Sequence, residues 1–213
     1  MKKIAFIDCF INDPVNHCVN DLIEKYELSA TYHMPSKFGI NSLKLLNDTN
    51  VFIILGSASH VYENLLWHQE LLDFIIPRIN SGSYVLGICF GHQLIANHYG
   101  CEVGYIEKDK SNFDIIRELK FKESCLGFST GSTLELAYSH AQIVKTITED
   151  FQVLASSSHS EFEILKLKDT NYYSLQAHPE ASVDFVLKAG AKNIDLVRDN
   201  GHKFIKNFIN LAI

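Results

Sequence analysis

One stretch, Tyr84-Val85-Leu86-Gly87-Ile88-Cys89-Phe90-Gly91-His92-Gln93, restricts the fold more than any other. It joins an apolar run to a helix-like continuation through a cysteine with glycine at both i−2 and i+2. A strand that runs straight into a helix has to turn sharply. Small residues beside such a turn let the side chain at its apex stand exposed in a strained conformation. Cys89 then lies at a helix N-terminus, where the dipole and the unpaired N–H groups favour thiolate over thiol. A buried core position is the commoner fate of a single cysteine; the paired glycines favour the reactive reading.

The first half of the chain alternates strands and helices around this turn. Residues 3–8, 30–32, 51–55 and 84–88 read as strands, and 51–55 is a nearly continuous apolar run of the kind buried on both faces. Residues 16–26 carry helical spacing through Val19, Leu22, Ile23 and Tyr26; 42–46 suggests a short helix, and 63–79 a longer one that Pro77 bends or ends. A further helix follows Cys89 and closes at Gly100. This alternation implies an α/β fold with a parallel sheet covered on both faces, whose ligands lie at the carboxyl ends of the strands. Cys89 and the Gly56-Ser57 turn both fall there.

The second half changes character. Residues 103–106, 113–121, 134–139, 143–147, 151–157, 162–167 and 172–177 are strand-like runs separated by turns, which predicts antiparallel hairpins. Residues 127–132 read as a loop and not as a phosphate cradle, because no lysine follows at P-loop spacing. Helices resume over 182–192 and 196–211. Neither an internal repeat nor a low-complexity segment is present.

Composition narrows the function classes. With 213 residues, 46% of them hydrophobic, 21% charged and a net charge of −6, the chain has the size of one domain and no basic patch for a polyanion, so nucleic acid is not expected as a partner. Its apolar segments are strand-sized and too short for a membrane span. The apolar run after Met1-Lys2-Lys3 is broken by Asp8 and then by Asn12-Asp13-Pro14, unlike a signal peptide, so a cytoplasmic location is expected. Five cysteines without a C-x-x-C pair fit neither a disulfide framework nor a zinc site, so no metal and no cofactor are expected.

A nucleophilic cysteine needs a base, and the base needs a third group that fixes its tautomer and stabilises the imidazolium. His178-Pro179-Glu180 supplies both, since positions i and i+2 of an extended chain project to the same side and Pro179 stiffens the link. If the 172–177 strand lies beside the Cys89 strand, His178 emerges at the same edge as the sulfur. An oxyanion hole then comes from the Phe90 N–H and a donor on the Gly56-Ser57 loop. His92 is closest to Cys89 in sequence, but at i+3 on the following helix it points back into the first turn. His140 and His159 sit at strand ends near serines, as substrate contacts or as satisfied structural histidines. Ser57 is disfavoured as a nucleophile because its loop lacks the G-x-S-x-G pattern.

Gly87-Ile88-Cys89-Phe90-Gly91-His92-Gln93 together with Gln176-Ala177-His178-Pro179-Glu180 resembles the class I (triad) glutamine amidotransferases, among them the glutaminase domain of GMP synthetase. The likeness extends to Leu55-Gly56-Ser57 with Ser59-His60-Val61-Tyr62 behind it and to Tyr138-Ser139-His140, and so covers most of residues 1–213, read as one such domain. It implies a flavodoxin-like three-layer fold, Cys89 as nucleophile, His178 as base and Glu180 as its orienter. By the same likeness Gln93, Ser139 and His140 hold the glutamine α-groups, and Gly56, Ser57 and Phe90 surround the reacting carbonyl. The chain departs from the GMP synthetase pattern at Gly56-Ser57 (there Gly-Gly-Pro), at Ser139-His140-Ala141-Gln142 (there Ser-His-Gly-Asp) and at Ala177, where an aromatic is usual. The implied reaction is hydrolysis of the glutamine side-chain amide with release of ammonia. The same groups serve a γ-glutamyl peptidase, and a non-catalytic partner subunit of this fold is a third reading. No P-loop, second domain or linker is visible, so the expected partner of an amidotransferase here is a separate synthetase subunit.

Overall fold

Two four-residue runs, β1 (Ile4–Ile7) and β3 (Val51–Ile54), are buried at every position, and such runs are stable only inside a sheet covered on both faces. The computed structural model describes residues 3–106 and 112–212; Met1, Lys2, residues 107–111 and Ile213 of the expected 1–213 unit lie outside the described residues. β1 pairs in parallel with β2 (Ala30–His33) on one side and with β3 on the other, Ile4 lying opposite Ala30 and Val51. β3 pairs in parallel with β4 (Tyr84–Ile88), and β4 in parallel with β11 (Tyr172–Leu175), Ile88 opposite Leu175. The sheet then turns antiparallel through β10 (Ile164–Leu167), β9 (Phe151–Ser156), β6 (Phe113–Phe121) and β7 (Thr133–His140). Among the described residues the sheet order is β2-β1-β3-β4-β11-β10-β9-β6-β7, nine strands, with β5 (Val103–Tyr105) and β8 (Gln142–Val144) forming a separate antiparallel pair. The first half is parallel and the second largely antiparallel, as expected, except that β11 joins the first half through its parallel pairing with β4.

Two apolar layers cover the sheet. Val19 and Leu22 of α1 (Asn16–Tyr26) and Phe204, Ile205, Phe208 and Ile209 of α7 (Ile194–Ala212) pack with Ile4, Phe6, Ile53 and Leu86 on one face. Leu71, Phe74, Ile75 and Ile79 of α4 (Leu66–Asn80) and Leu94 and Ile95 of α5 (Phe90–His98) pack with Ala5, Ile7, Phe52 and Ile54 on the other. The short helices α2 (Pro35–Phe38), α3 (Asn41–Lys44) and α6 (Val183–Lys188) complete the chain. Among the described residues no helix is long and apolar enough to cross a membrane.

Three local expectations change. The helix expected over 63–79 starts at Leu66, because Val61–Glu63 closes as a separate 3-10 turn. There Glu63 accepts from the His60 N–H at 3.0 Å and from the Ser59 hydroxyl, and Asn64 takes a left-handed conformation. Pro77 does not end the helix, which runs on to Asn80; in the last turn it removes one hydrogen bond, while Phe74, Ile75 and Ile79 stay anchored in the core. The helix expected over 182–192 stops after Lys188, ahead of Gly190 at φ +81°.

Candidate active site

Cys89 sits between the end of β4 and the first residue of α5, with φ 49° and ψ −100°. A non-glycine residue in that region carries on the order of 1–3 kcal/mol of strain, held by the structure around it. The tightness has a visible cause: a Cβ on Gly91 would lie 2.8 Å from the Ile54 carbonyl oxygen, so α5 approaches β3 more closely than any other residue type allows. The Phe90 N–H is the first of the helix and has no intrahelical acceptor, while the Phe90 ring is buried against Trp67 and His68.

His178 follows β11, and the parallel pairing of β11 with β4 brings it to the same sheet edge as Cys89. Its Nδ1 lies 2.8 Å from Glu180 Oε1, and both side chains are buried, 9% and 5% exposed. The His178 N–H donates to the Ala137 carbonyl at 2.8 Å, which ties the turn to β7. Phe185 of α6 packs on the imidazole with ring centres 5.0 Å apart. Behind the turn, α7 presents Gly201 to Pro179, where a Cβ would lie only 2.4 Å from the Pro179 carbonyl oxygen. Gly56 touches both partners, since a Cβ there would lie 2.8 Å from His178 Cε1 and 3.6 Å from Cys89 Cβ.

Burial by itself pushes the His178 imidazole toward the neutral form. The Glu180 carboxylate and the Cys89 sulfur together outweigh it, so the pKa stands well above the ordinary histidine value. His178 Nε2 makes no hydrogen bond of good geometry among the described residues, yet the sulfur is close enough to raise its proton affinity. The neighbouring histidines go the other way. Burial, and then the charge of His140, lowers His92 to about 3. Burial lowers His140 to about 4, although a hydrogen bond to the Gln142 backbone opposes it. The site therefore favours a single imidazolium, on His178.

Cys89 and His178 line one cavity of about 400 Å³ together with Ser57, Gln93, Ser139 and His140. Of the candidates for substrate contact, Ser57 accepts from the Ser59 N–H at 3.0 Å. The Ser139 hydroxyl donates to Asp114 at 2.5 Å and accepts from Asn112 at 3.0 Å, and its carbonyl oxygen lies 3.9 Å from Cys89 Sγ. Asp114 in turn pairs with Lys188 at 2.8 Å. Gln93 is buried, with its amide nitrogen 2.7 Å from the Gln142 carbonyl oxygen and 3.0 Å from Gln176 Oε1. His92 does not line the cavity, and its Nδ1 lies 2.8 Å from the Ser174 hydroxyl. His159 is exposed, bonds to Ser158 and lines a groove elsewhere. Phe10, Asn112 and Phe185 also line the cavity and carried no signal in the sequence. Phe10 stands on a loop that Asp8 anchors by accepting from the Phe10 and Val15 N–H groups at 2.9 and 3.0 Å.

The chain is similar to known proteins in sequence and in fold. The family profile "Glutamine amidotransferase class-I" matches residues 11–185. Gamma-glutamyl peptidase 4 of Arabidopsis thaliana is 33% identical over 155 residues, 71% of this chain and 60% of the peptidase. A glutamine-hydrolysing GMP synthase subunit of Methanosphaera stadtmanae is 36% identical over 165 residues, 78% of this chain and 82% of that protein. The match to the GMP synthase of Campylobacter fetus, 30% identical over 70% of this chain, spans only 28% of that enzyme. Among solved structures, a glutamine amidotransferase from Thermotoga maritima superposes with a TM-score of 0.76 at 15% identity, covering 99% of this chain and 97% of that one. At such identity the likeness is one of fold.

Proposed function

Since the chain belongs to the class I glutamine amidotransferase family, we propose that it is one such domain over residues 1–213 and hydrolyses the side-chain amide of glutamine through Cys89, His178 and Glu180. The observation that carries this reading is the meeting, at one sheet edge and on one cavity, of a strained cysteine at a helix N-terminus and a histidine held 2.8 Å from a buried carboxylate. The Cys89 thiolate attacks the amide carbonyl carbon, and the developing oxyanion rests on the Phe90 N–H and an N–H of the Gly56-Ser57 loop. The imidazolium of His178 gives its proton to the departing nitrogen, so ammonia leaves and a γ-glutamyl thioester remains. Water then attacks the thioester, His178 takes its proton, and glutamate leaves as the C–S bond breaks. Glu180 keeps the ring oriented and its positive charge compensated throughout. Gln93, Ser139 and His140 surround the amino-acid end of the substrate.

The acceptor of ammonia is an activated substrate on a separate synthetase subunit, a reading supported by the similarity to the GMP synthase subunit of Methanosphaera stadtmanae. The isolated protein is then expected to show low glutaminase activity until it is docked. A second reading, γ-glutamyl peptidase, is favoured by the likeness to Gamma-glutamyl peptidase 4 and by a cavity of about 400 Å³ walled by Phe10 and Phe185. That volume falls within the roughly 300–1,000 Å³ typical of pockets for drug-sized ligands, with space for a leaving group larger than ammonia. Steady-state ammonia release from glutamine, measured beside cleavage of a γ-glutamyl dipeptide, separates the two. Turnover of the peptide with none of glutamine overturns the amidotransferase reading in favour of the peptidase; inertness toward every γ-glutamyl amide favours a partner subunit without activity.

A further inference from the structure

Ser174 lies on β11, and Gln176 and His178 follow at every second position in the segment that leaves it. Each meets α5 or the residue at its start. Ser174 meets His92, Gln176 meets Gln93 and Cys89, and His178 shares the cavity with Cys89. The triad accounts for His178, and Ser174 orients a neutral His92. Gln176, 1% exposed, has no part in the triad, yet its Nε2 lies 3.6 Å from Cys89 Sγ.

The polarity of this contact follows from the far end of the chain of bonds. The Gln142 backbone carbonyl can only accept, so the group that Gln93 presents to it at 2.7 Å is the NH₂ of its amide. The second hydrogen of that NH₂ points to Gln176 at 3.0 Å, which makes the facing atom of Gln176 its carbonyl oxygen. Gln176 must then turn its own NH₂ toward the sulfur. With Gln93 and Gln176 both buried and the ladder pinned to a backbone carbonyl, neither amide reverses without leaving a buried donor or acceptor unpaired.

We propose that Gln176 is a further catalytic residue, donating a hydrogen bond that holds Cys89 as thiolate, and that Gln93 is the positioning residue that orients it. A donor aimed at sulfur stabilises the negative form over the neutral thiol, and an amide does so without competing with His178 for the proton. In Gln176→Met the side-chain volume is nearly kept and both amide hydrogens are lost.

The test is the rate at which iodoacetamide alkylates Cys89, followed by mass spectrometry of the Cys89 peptide from pH 5 to pH 10 in the parent, Gln176→Met, Gln176→Glu and Gln93→Met. The expected result is a profile displaced to higher pH in all three variants. Gln176→Met should lose roughly tenfold in rate below neutrality and return to the parent rate at high pH, where the thiolate forms unaided. A purely structural role would lower the rate at every pH or not at all, and either result overturns the proposal. If Gln176→Met fails to fold, the near-isosteric Gln176→Glu carries the test, and an unchanged profile there overturns it equally. Alkylation needs no γ-glutamyl substrate, so this result stands apart from the outcome of the ammonia assay and from the proposed reaction.

Discussion

Burial pushes the thiols of Cys18 and Cys125 up to about 12, and raises those of Cys9 and Cys101 as well. At pH 7 those four are almost wholly protonated, so Cys89, at the helix N-terminus, is expected to alkylate at least tenfold faster than any of them. Peptide mapping after partial labelling checks this, and equal labelling of all five contradicts it. Cys89→Ala should abolish turnover and keep cooperative unfolding, because a small residue suits the turn. Glu180 acts on a different quantity. Burial is the largest influence on His178 and drives it neutral, so removing the opposing carboxylate lets the imidazolium lose its proton at lower pH. Glu180→Gln should therefore cost on the order of a hundredfold or more in kcat and move the alkaline limb of the pH profile downward. A variant with parental rate and profile would remove Glu180 from the mechanism.

At the scale of elements, the position of the His178-Pro179-Glu180 turn depends on how close α7 comes. Helix propensity alone says that alanine at Gly201 stabilises a helix by about 1 kcal/mol. The contact says the opposite, because the added carbon would lie 2.4 Å from the Pro179 carbonyl oxygen and 2.8 Å from its Cα. Gly201→Ala is thus expected to lower both the Tm and kcat, kcat by ten- to a hundredfold, as the turn shifts away from Cys89. A raised Tm with full activity would show that the helix yields instead. None of this was legible in the sequence, since Gly201 reads as an ordinary weak point in a helix and its partner lies 22 positions earlier. A parallel sheet covered on both faces around Cys89 was legible, because continuous apolar runs such as Val51–Ile54 are stable between two covering layers, but the order of its strands was not. The meeting of Cys89 and His178 was legible only on the condition that the 172–177 strand neighbours the Cys89 strand, which the pairing of β11 with β4 meets. Phe10 and Phe185 were illegible for the reason Gly201 was, since each reaches the cavity by tertiary packing. Pro77 sits in the last turn, where a proline costs one bond and not a helix, so the helix expected to 79 ends at Asn80.

Over the whole molecule, the response to acid is a balance: His92, His140 and His202, buried and held neutral, weaken the fold as the pH falls, while His178, held charged beside Glu180, works the other way. Burial, with nearby positive charge, lowers His92 to about 3, and His140 and His202 to about 4, against 6.5 for the free side chain. The unfolded chain takes up these protons as the pH falls through 6.5 while the native protein does not. The stability they contribute is complete above that value and drains away as the pH approaches 4. Set against the gain from His178, the net loss between pH 7 and pH 5.5 should be on the order of 2 kcal/mol, read as a lower urea midpoint at unchanged slope; a midpoint that stays put contradicts it. The central claim is that one sulfur at the carboxyl edge of the parallel strands attacks a γ-glutamyl carbonyl, and a glutamine-mimicking diazo-ketone tests it most directly. After exposure of the intact protein, mass spectrometry should find one equivalent of label on Cys89, slowed by excess glutamine and absent from Cys89→Ala. Label on another cysteine with Cys89 left free would contradict the account.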